Sequence, residues 1–414
     1  RNGYFNTCFD FPNPSLRSYF GRVVSGQPDE YRTPFYKKKS LDEILHGWME
    51  VLKEVRDEHP SLWEFEKDLA AKVGPMSVMK PLKDRLADID SYYESITLDS
   101  EPISKDALEE VHHEFAKIAG LRMRSQRRTV ENMKKSTSSG SPYFTKRKDV
   151  TSKTIPCKCY VDGKRVSQYL RDDFYNACAI LGWRGQEGGR SLDDVKQRVV
   201  WMFPYAVNIQ ELQVYQPLIE SVQRFNLVPA WVSMDSVDQS ITKMFDTKGE
   251  NDVVICTDFS KFDQHFNPHM AEAASTLIDG LFGHSAEIRD WLDKVFPIKY
   301  NIPLAYDWNT VRFGEHGMGS GSGGTNADET LVHRALQHEA AMKAGTKLNP
   351  HSQCLGDDGV LTYPGIKVDD VIDAYTSHGQ EMNPDKQYVS LRDCVYLRRW
   401  HSMDYRVNNV CVGV

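Results

Sequence analysis

The sequence lacks the features that would place a protein in a membrane or in an oxidising compartment. No apolar run approaches the about 18 residues that a membrane-spanning helix needs, because the longest, at residues 199–207, is interrupted by Pro204. We recognise no secretory signal pattern at the start. Of the 8 cysteines only Cys157 and Cys159 lie close together, so the paired spacing of a zinc site is missing. The pattern predicts reduced thiols in an intracellular setting.

The sequence also has no excess of basic residues. It contains 51 Lys and Arg against 58 Asp and Glu, so the net charge is −7. This balance argues against a nucleic-acid surface that covers the whole protein. The balance reverses locally in residues 122–158, whose basic side chains are Arg122, Arg124, Arg127, Arg128, Lys134, Lys135, Lys146, Arg147, Lys148, Lys153 and Lys158. Such a stretch is either a solvated face or arm, or a surface that contacts phosphates.

The 414 residues are enough for two or three domains or one large multi-lobed unit. Residues 1–40, rich in Pro, Gly and aromatics, predict an extended arm laid over another part of the protein. Capping boxes, in which Ser precedes Glu by three residues, predict helices at Ser40 and Ser61, and a third helix is predicted over residues 104–120. From Thr137 onward, short β-rich runs alternate with turns and helices, which predicts an α+β fold with a small antiparallel sheet.

Two adjacent aspartates, Asp357 and Asp358, lie in the stretch SQCLGDDGV. Asp-Gly after an apolar run predicts a hairpin turn, but a turn requires only one aspartate. A predicted buried strand ends at Asp258, and Asp263 follows it. If the hairpin pairs with this strand, the carboxylates meet at one edge of a sheet and require a cation, because like charges repel. Oxygen ligands near a phosphate substrate suit Mg²⁺, and two such ions support an in-line displacement. The alternative is a helix cap and an unrelated surface acid.

Residues 317–324, GMGSGSGG, are too rich in Gly and Ser for a simple turn and precede a predicted long helix. They match neither a nucleophile elbow nor a P-loop. The remaining interpretations are a loop that contacts phosphate or sugar at a helix N-terminus, or a flexible connector. Lys196 and Arg198 project from one side of a predicted strand, either as cations for a triphosphate or as charges that protect an edge strand.

Taken in order, the stretches DFSKFD, SGSGGTN and GDD closely resemble motifs A, B and C of viral RNA-dependent RNA polymerases. The longer forms DFSKFDQHF and SGSGGTNADET are most similar to the enzymes of picobirnaviruses, which are double-stranded RNA viruses. TSSGSPY, KQRVVWMFP, NPDKQ and YLRRW resemble motifs G, F, D and E. The resemblance covers residues 137–400 and implies an α+β right-hand polymerase, with fingers, a thumb, and a palm built on a small antiparallel sheet flanked by helices.

The resemblance divides the chain into an N-terminal arm with helices that bridge fingers and thumb, then fingers, palm and the start of the thumb. The implied ranges are 1–75, 76–248, 249–400 and 401–414, with the template entrance at 137–143 and an NTP-binding strand at 190–204. Only 14 residues follow Trp400, and the chain begins at Arg1 without Met. We therefore expect a fragment or processed product from which most of the thumb is missing.

The implied catalytic residues are Asp258, Asp357, Asp358 and Lys386. By the resemblance, Asp258 and Asp357 hold two Mg²⁺ ions, for which Mn²⁺ is the expected substitute. Asp358 assists them, and the carbonyl oxygen of Phe259 completes one coordination sphere. Lys386 protonates the departing pyrophosphate.

The resemblance also implies roles in binding nucleotide and RNA. The implied NTP-binding residues are Lys196 and Arg198 for the triphosphate, Asp263 for the ribose hydroxyls, and Ser320, Thr325 and Asn326 for positioning the nucleotide. The implied RNA-binding residues are Thr137, Ser138 and Gly140 at the template entrance, Gly321 in the motif B loop, and Arg398 at the primer backbone. One position departs from the family pattern, since Glu329 stands where many relatives have Asn or Asp beside the second motif A aspartate. The contacts to the ribose therefore stay open.

The implied function is template-directed synthesis of RNA from NTPs on a viral RNA template, for replication and transcription of a double-stranded RNA genome. The expected partners are single-stranded and double-stranded RNA, NTPs and a capsid protein. We expect a monomer without membrane contact, in the virion interior and the host cytoplasm. One alternative is a reverse transcriptase or another palm-type nucleotidyltransferase. Asp263 argues against a reverse transcriptase, because enzymes that exclude the 2′-hydroxyl usually have a bulky aromatic residue at this position. The other alternative is a catalytically idle RNA-binding scaffold in the virion. The presence of all the motif aspartates argues against it.

Overall fold

Residues 2–29 and 39–414 are described by a computed structural model. Helices and strands both occur throughout this part of the chain, which confirms the α+β class. The helices are α1 (Asn2–Thr7), α2 (Pro14–Ser25), α3 (Leu41–Leu52), α4 (Pro60–Lys72), α5 (Leu86–Glu94), α6 (Lys105–Glu114), α7 (Gln126–Glu131), α8 (Arg147–Thr154), α9 (Tyr205–Arg224), α10 (Met234–Thr247), α11 (Pro268–Leu281), α12 (Ala286–Lys294), α13 (Ile298–Asn301), α14 (Thr325–Lys343) and α15 (Val368–Ser377). The strands are β1 (Lys158–Asp162), β2 (Arg165–Tyr169), β3 (Phe174–Asn176), β4 (Ala179–Gln186), β5 (Lys196–Met202), β6 (Val254–Thr257), β7 (Leu304–Asp307), β8 (Thr310–Arg312), β9 (Gln353–Leu355), β10 (Asp358–Leu361), β11 (Tyr388–Ser390), β12 (Asp393–Tyr396) and β13 (Arg399–Ser402).

The central sheet has the strand order β11-β6-β10-β9, and all its neighbours are antiparallel. Strand β6 is buried on both faces, because successive side chains point to opposite sides of a sheet. Ile255 packs into the large core that includes α11 and α14. Val254 and Cys256 point the other way, into a second core built with α10 and β12. This sandwich fixes β6 and so fixes the residues that follow it.

A second four-stranded sheet has the order β5-β4-β7-β8, in which β4 and β7 are parallel. Strand β5, which carries Lys196 and Arg198, lies at its edge. The prediction that this segment is a strand is therefore confirmed. Strands β1 to β3 form a separate small antiparallel sheet beside α9.

The N-terminal segment differs from its prediction. An extended arm is wrong for residues 2–25, because they form α1 and α2. Phe5 and Phe20 are buried, and both rings lie against Trp308, with centroids 5.2 and 6.4 Å away. The arm does lie over another part of the protein, the β7–β8 hairpin, and burial of its aromatic rings there stabilises the helices. Residue 1 and residues 30–38 lie outside the described part of the chain.

The predicted helix starts are confirmed at two of three places. Ser40 Oγ accepts a hydrogen bond from Glu43 N at 3.2 Å at the start of α3, and Ser104 caps α6 in the same way. The capping box at Ser61 is wrong. Helix α4 begins one residue earlier, at Pro60, because proline is favoured in the first turn, and Ser61 Oγ instead accepts from Trp400 Nε1 at 2.9 Å.

The last residues fold back on β13 and α10. Trp400 and Val414 exchange both main-chain hydrogen bonds, at 3.0 and 2.9 Å, and buried Cys411 donates its main-chain N–H to Thr242 on α10 at 2.8 Å. The assignment of residues 401–414 to the start of a thumb stays a prediction. All 8 cysteines are buried and free of disulfides, as expected for reduced thiols. Within the ranges described above, every helix is too short or too polar to cross a membrane.

Candidate active site

The two aspartates with the strongest predictions lie at one edge of the central sheet. Asp258 directly follows β6, and β10 pairs antiparallel to β6 with Gly359 opposite Thr257. Asp357 stands in the tight turn that joins β9 to β10, so both carboxylates are exposed on the same side of the sheet. The predicted convergence of strand and hairpin is therefore confirmed.

The turn itself lies one step earlier than predicted. Its two residues are Gly356 and Asp357, and Gly356 supplies the positive φ of 57° that such a turn requires. Asp358 and Gly359 already belong to β10. Gly359 is needed for a different reason, since a Cβ there would approach the ring of His333 to 2.7 Å. Of the two aspartates, only Asp357 is therefore a turn residue.

Charge repulsion is present at this edge. Withdrawal from water raises the pKa of Asp357 first, and the Asp263 carboxylate raises it further, as does Asp258. Arg198 acts in the opposite direction. Clustered carboxylates of this kind gain stability when a cation binds between them.

Asp258 is held by a residue that the sequence analysis did not single out. Gln387 accepts a hydrogen bond from Asp258 N at 2.8 Å and donates one to Asp258 O at 2.9 Å. Both main-chain groups are thus fixed by one amide side chain. Its position in the NPDKQ stretch, next to Lys386, is the only signal in the sequence. The Phe259 ring stacks on Tyr375 in the core, with centroids 5.7 Å apart, so Phe259 can offer only its carbonyl oxygen to a metal ion.

Asp358 points toward a different element. One of its oxygens, Oδ2, accepts a hydrogen bond from Leu397 N at 2.8 Å. Leu397 and Arg398 form the turn between β12 and β13, and both have positive φ, 54° and 59°. Non-glycine residues are strained there, so the Asp358 carboxylate helps to hold the turn that exposes Arg398. Burial above all raises the pKa of Asp358 to about 6. The role of Asp358 as an assisting metal ligand stays a prediction, since its Oδ2 atom is already bonded to Leu397 N.

Cationic side chains face this carboxylate edge. Arg198 on β5 is oriented by Gln186, whose Oε1 accepts from Nε at 2.9 Å and from Nη2 at 2.7 Å. Burial lowers the pKa of Lys196, and the charges of Lys72, Arg198 and Lys386 lower it further. The Asp258 carboxylate opposes that shift. Lys196, Arg198 and Lys386 therefore share one electrostatic environment with the aspartates, and Lys72 on α4 joins them without a sequence signal.

The loop of residues 317–324 is fixed against β5 and α9. Ser320 contacts main-chain groups of β5 at 3.4 Å, and Thr325 Oγ1 donates to Gly319 O at 3.1 Å. Buried Glu211 on α9 accepts hydrogen bonds from Ser322 Oγ and from Gly323 N. These contacts favour a preformed binding loop over a flexible connector. Asn326 begins the exposed side of α14, where its Oδ1 accepts from Trp231 Nε1 at 2.8 Å.

The predicted template entrance lies against the opposite end of β5. Gly140 has a φ of 59°, and a Cβ there would lie 2.6 Å from Phe203 O. Ser138 accepts from Gly140 N at 3.2 Å, and Thr137 O accepts from Arg147 N at 3.0 Å. The loop is therefore held by its own main chain.

The basic stretch of residues 122–158 has two parts. Buried Arg124 bonds Gln216 and Glu220, and Arg147 donates to Asn208, so these two cations are structural. The remaining exposed cations are free to meet solvent or phosphate, namely Arg122, Arg127, Arg128, Lys134, Lys146, Lys148, Lys153 and Lys158.

The comparisons with known proteins agree with this geometry. A family model described as viral RNA-dependent RNA polymerase matches residues 25–408. The chain is 62% identical over 407 residues to a potential RNA-dependent RNA polymerase of a human picobirnavirus (strain Human/Thailand/Hy005102/-), which covers 98% of the chain and 76% of that protein. The chain belongs to the viral RNA-dependent RNA polymerases.

Solved structures extend the likeness to three dimensions. The polymerase superimposes with a TM-score of 0.98 on the crystal structure of a human picobirnavirus RNA-dependent RNA polymerase, at 61% identity, and covers 79% of that chain. An insertion-loop deletion mutant of a human picobirnavirus polymerase matches with the same score and identity, with 81% of that chain covered. Both matches include the whole of the present chain, so the right-hand polymerase fold is established.

The donor set of this polymerase fits the divalent cation that the family uses. In residues 2–29 and 39–414, no three His, Cys, Asp or Glu side chains are already close enough to enclose a metal ion. Mg²⁺ does not require such a cage, because it keeps several waters and binds through one or two carboxylates together with substrate phosphates. Asp258 and Asp357 are exposed, mutually repelling oxygen donors, and no thiolate or imidazole lies among them.

The motif B loop provides a first prediction. A Cβ at Gly321 would overlap the carbonyl oxygen of Trp201 on β5, so Gly321→Ala must push the loop away from β5. We expect incorporation of nucleotides by the polymerase to fall at least about 100-fold, since misplacement by about 1 Å is enough for such a loss. The measurement is nucleotide incorporation together with the thermal midpoint.

Gly47→Ala on α3 is the matched control, because no atom lies within 4 Å of the Cβ position there. It should leave incorporation unchanged and raise stability slightly, by about 0.5–1 kcal/mol, as alanine is the better helix former. Near wild-type incorporation by Gly321→Ala would show that the loop does not need its contact with β5.

Proposed function

We propose that the polymerase elongates RNA on a single-stranded RNA template by two-ion nucleotidyl transfer. The observation that carries this proposal is the register of β6 and β10, which brings Asp258 and Asp357 to one sheet edge opposite Lys196 and Arg198. Acidic and basic groups that face each other across a cleft suit a substrate whose triphosphate binds both metal ions and cations.

In the proposed reaction, the oxygen of a primer 3′-hydroxyl attacks the α-phosphorus of an NTP and loses its proton to water. The bond between the α-phosphorus and the β-phosphate oxygen breaks, and pyrophosphate leaves. Asp258 and Asp357 would hold the two Mg²⁺ ions, with the Phe259 carbonyl as a further oxygen donor. When bound, the ions supply charge neutralisation at the attacking and leaving oxygens. Lys196 and Arg198 bind the β- and γ-phosphates, and Lys386 gives its proton to the departing pyrophosphate.

The template and primer are assigned to different elements around this edge. Thr137, Ser138 and Gly140 would guide the template strand, and the exposed cations of residues 122–158 would bind its phosphates. Arg398, exposed on the β12–β13 turn, would contact the primer backbone. Asp263 would accept a hydrogen bond from the ribose 2′-hydroxyl of the incoming nucleotide.

The proposed biological role is replication and transcription of a double-stranded RNA genome, in the virion interior and the host cytoplasm. It is supported by the identity to a picobirnavirus protein and by the fold of two picobirnavirus polymerase structures. A monomer that contacts RNA, NTPs and a capsid protein is part of the same proposal.

The experiment that tests the reaction is incorporation of labelled nucleotides on a defined single-stranded RNA with Mg²⁺. We expect NTPs to be incorporated only opposite their complements, and dNTPs to be used at least about 100-fold less efficiently. Equal use of dNTPs would favour a reverse transcriptase. Binding of RNA without any incorporation would favour the scaffold. Omission of Mg²⁺ should abolish incorporation and Mn²⁺ should restore it.

A further inference from the structure

Helix α14 has a buried polar face that lies against the hairpin of β9 and β10. Its residues recur at spacings of three, four and seven from the first and therefore share one side of the helix, namely Thr330, His333, Arg334 and Gln337. Buried polar side chains require hydrogen-bond partners, and here most of the partners are main-chain groups of the hairpin. This face of α14 therefore supports the hairpin that carries Asp357.

One part of the face holds the end of the hairpin that is remote from the turn. Gln337 Nε2 donates to Gln353 O at 2.9 Å and to Val360 O at 3.4 Å, and these last two residues pair across the strands. Arg334 Nη1 donates to Ser352 O, directly before β9, at 2.6 Å. These bonds fix the strands and leave the turn to the rest of the face.

Thr330 and His333 hold the turn itself. Gly356 N donates to Thr330 Oγ1 at 2.9 Å, and the Thr330 hydroxyl donates in turn to Asn326 Oδ1 at 3.4 Å. His333 Nδ1 lies 2.8 Å from Gly356 O and must be the donor, because a carbonyl oxygen only accepts. Both main-chain groups of the residue before Asp357 are thus bonded to α14.

Gly356 depends on these two bonds. It is buried, whereas Asp357 is exposed, and the strand pairing ends at Leu355 and Asp358 on either side of the turn. A buried N–H and a buried C=O need hydrogen-bond partners, and the side chains of α14 provide them. The two bonds therefore fix the main chain from which the Asp357 side chain projects.

His333 also connects the turn to the other aspartate of the edge. Its ring packs edge-on against the ring of Phe259, with centroids 5.3 Å apart, and Phe259 directly follows Asp258. The same side chain thus bonds Gly356, the residue before Asp357, and packs against the residue after Asp258.

We propose that Thr330 and His333 are positioning residues for the metal site, which lock Gly356 and thereby hold the Asp357 carboxylate ready to bind Mg²⁺ together with Asp258. The inference rests on the proposed function, in which both aspartates are Mg²⁺ ligands. A carboxylate on a loose turn must be ordered when the ion binds, and that loss of freedom weakens binding. Groups that hold a metal ligand in place typically change metal affinity by about 10–100-fold. Thr330 and His333 are themselves buried and act through Gly356.

The first test compares Thr330→Val with Thr330→Ser. The measured quantities are the Mg²⁺ concentration that gives half-maximal incorporation and the rise in thermal midpoint on adding Mg²⁺ without substrate. Valine has nearly the volume of threonine but no acceptor for Gly356 N, so Thr330→Val should need at least about tenfold more Mg²⁺ and show a smaller rise in midpoint. Serine keeps the hydroxyl, so Thr330→Ser should stay within about threefold of the wild type.

The second test compares His333→Asn with His333→Leu. Both variants lose the ring that packs against Phe259, so both should have a lower thermal midpoint. Asparagine places an N–H donor close to the position of Nδ1, so His333→Asn should keep the Mg²⁺ requirement within about threefold of the wild type. Leucine has no donor for Gly356 O, so His333→Leu should raise the requirement at least about tenfold.

Gln337→Met is the matched control. Gln337 lies on the same face of α14, is completely buried and bonds the same hairpin away from the turn. It should lower the thermal midpoint and leave the Mg²⁺ requirement unchanged. An equal rise in the requirement of Gln337→Met would show a general loosening of the hairpin and would overturn the inference. An unchanged requirement in Thr330→Val and His333→Leu would also overturn it, as would a lower rate at every Mg²⁺ concentration with the same half-maximal value.

The response of the thermal midpoint separates this inference from the proposed function. If the wild-type chain incorporates no nucleotide but is stabilised by Mg²⁺, the proposed polymerase reaction fails and the positioning role is still decided by the midpoints. A response to Mg²⁺ that is weakened in Thr330→Val and kept in Thr330→Ser supports the role, and equal responses overturn it. A wild-type chain that neither incorporates nucleotide nor responds to Mg²⁺ contradicts both proposals, because Asp357 then has no metal ion to be positioned for.

Discussion

Asp357→Asn should reduce nucleotide incorporation by at least about 1,000-fold, or roughly 4 kcal/mol of barrier, and Asp258→Asn should do the same. Both side chains are exposed at the edge of the central sheet, and both supply charge that a divalent cation needs. The change removes one charge and adds no volume, so the fold should survive.

Stability gives this prediction an independent readout. Because withdrawal from water and the charges of Asp263 and Asp258 raise the pKa of Asp357, its ionised form destabilises the folded chain above that pKa. Asp357→Asn without Mg²⁺ should therefore show a thermal midpoint equal to or above that of the wild type at neutral pH. Addition of Mg²⁺ should raise the wild-type midpoint and leave the Asp357→Asn midpoint nearly unchanged.

Asp172→Asn serves as the control, since Asp172 is an exposed carboxylate in the loop between β2 and β3. It should retain both incorporation and the response to Mg²⁺. If Asp357→Asn keeps more than about one tenth of the wild-type rate, the proposed two-ion site is wrong.

Lys299→Met should have the largest effect on stability. Lys299 and Asp328 are both completely buried, and Lys299 Nζ lies 3.0 Å from Asp328 Oδ2. Tyr215 and Tyr300 each donate a hydrogen bond of 2.7 Å to the same carboxylate. Removing the lysine leaves this carboxylate buried without a cation, which costs about 3–5 kcal/mol. For a chain of this size we expect the thermal midpoint to fall by about 3–6 °C.

A double variant separates the charge from the packing. Lys299→Met combined with Asp328→Asn removes both charges at similar volume and should recover most of the lost midpoint, because a buried pair contributes little beyond its own desolvation. Lys294→Met is the surface control, since its pair with Asp290 is largely exposed, and it should cost less than about 1 kcal/mol. If Lys299→Met proves no worse than Lys294→Met, the buried pair is not needed for the packing of α14 against α9 and α13.

The sequence could predict those parts of the site that depend on residues close together in the chain. The apolar run that ends at Asp258, and the hairpin with two aspartates, both specify their elements through side chains close in the chain. The same holds for Ser40 and Ser104, whose caps need only the next three residues. Short-range patterns failed where a distant partner decided. The N-terminal arm became helical because its aromatic rings are buried against the β7–β8 hairpin, more than 280 residues away in sequence.

The sequence could not predict how the side chains of the site are oriented. The resemblance ranked Asp357 above Asp358 as a metal ligand, but only the structure shows that the pleat of β10 turns Asp358 toward Leu397 while Asp357 stays in the turn. Gln387 and Lys72 had no spacing that marked them, because their roles depend on neighbours from other elements.

By itself, the sequence determined the family, the order of the motifs and the identity of the acids and cations that can carry the chemistry. These depend on residue type and on neighbours along the chain. The tertiary structure alone decided which carboxylates meet. Pairing of β6 with β10 brings Asp258 and Asp357 to one edge of the central sheet, and the turn between β9 and β10 holds Asp357 there. Charge, burial and hydrogen bonding at a site are properties of groups brought together from distant positions, and only the folded chain specifies them.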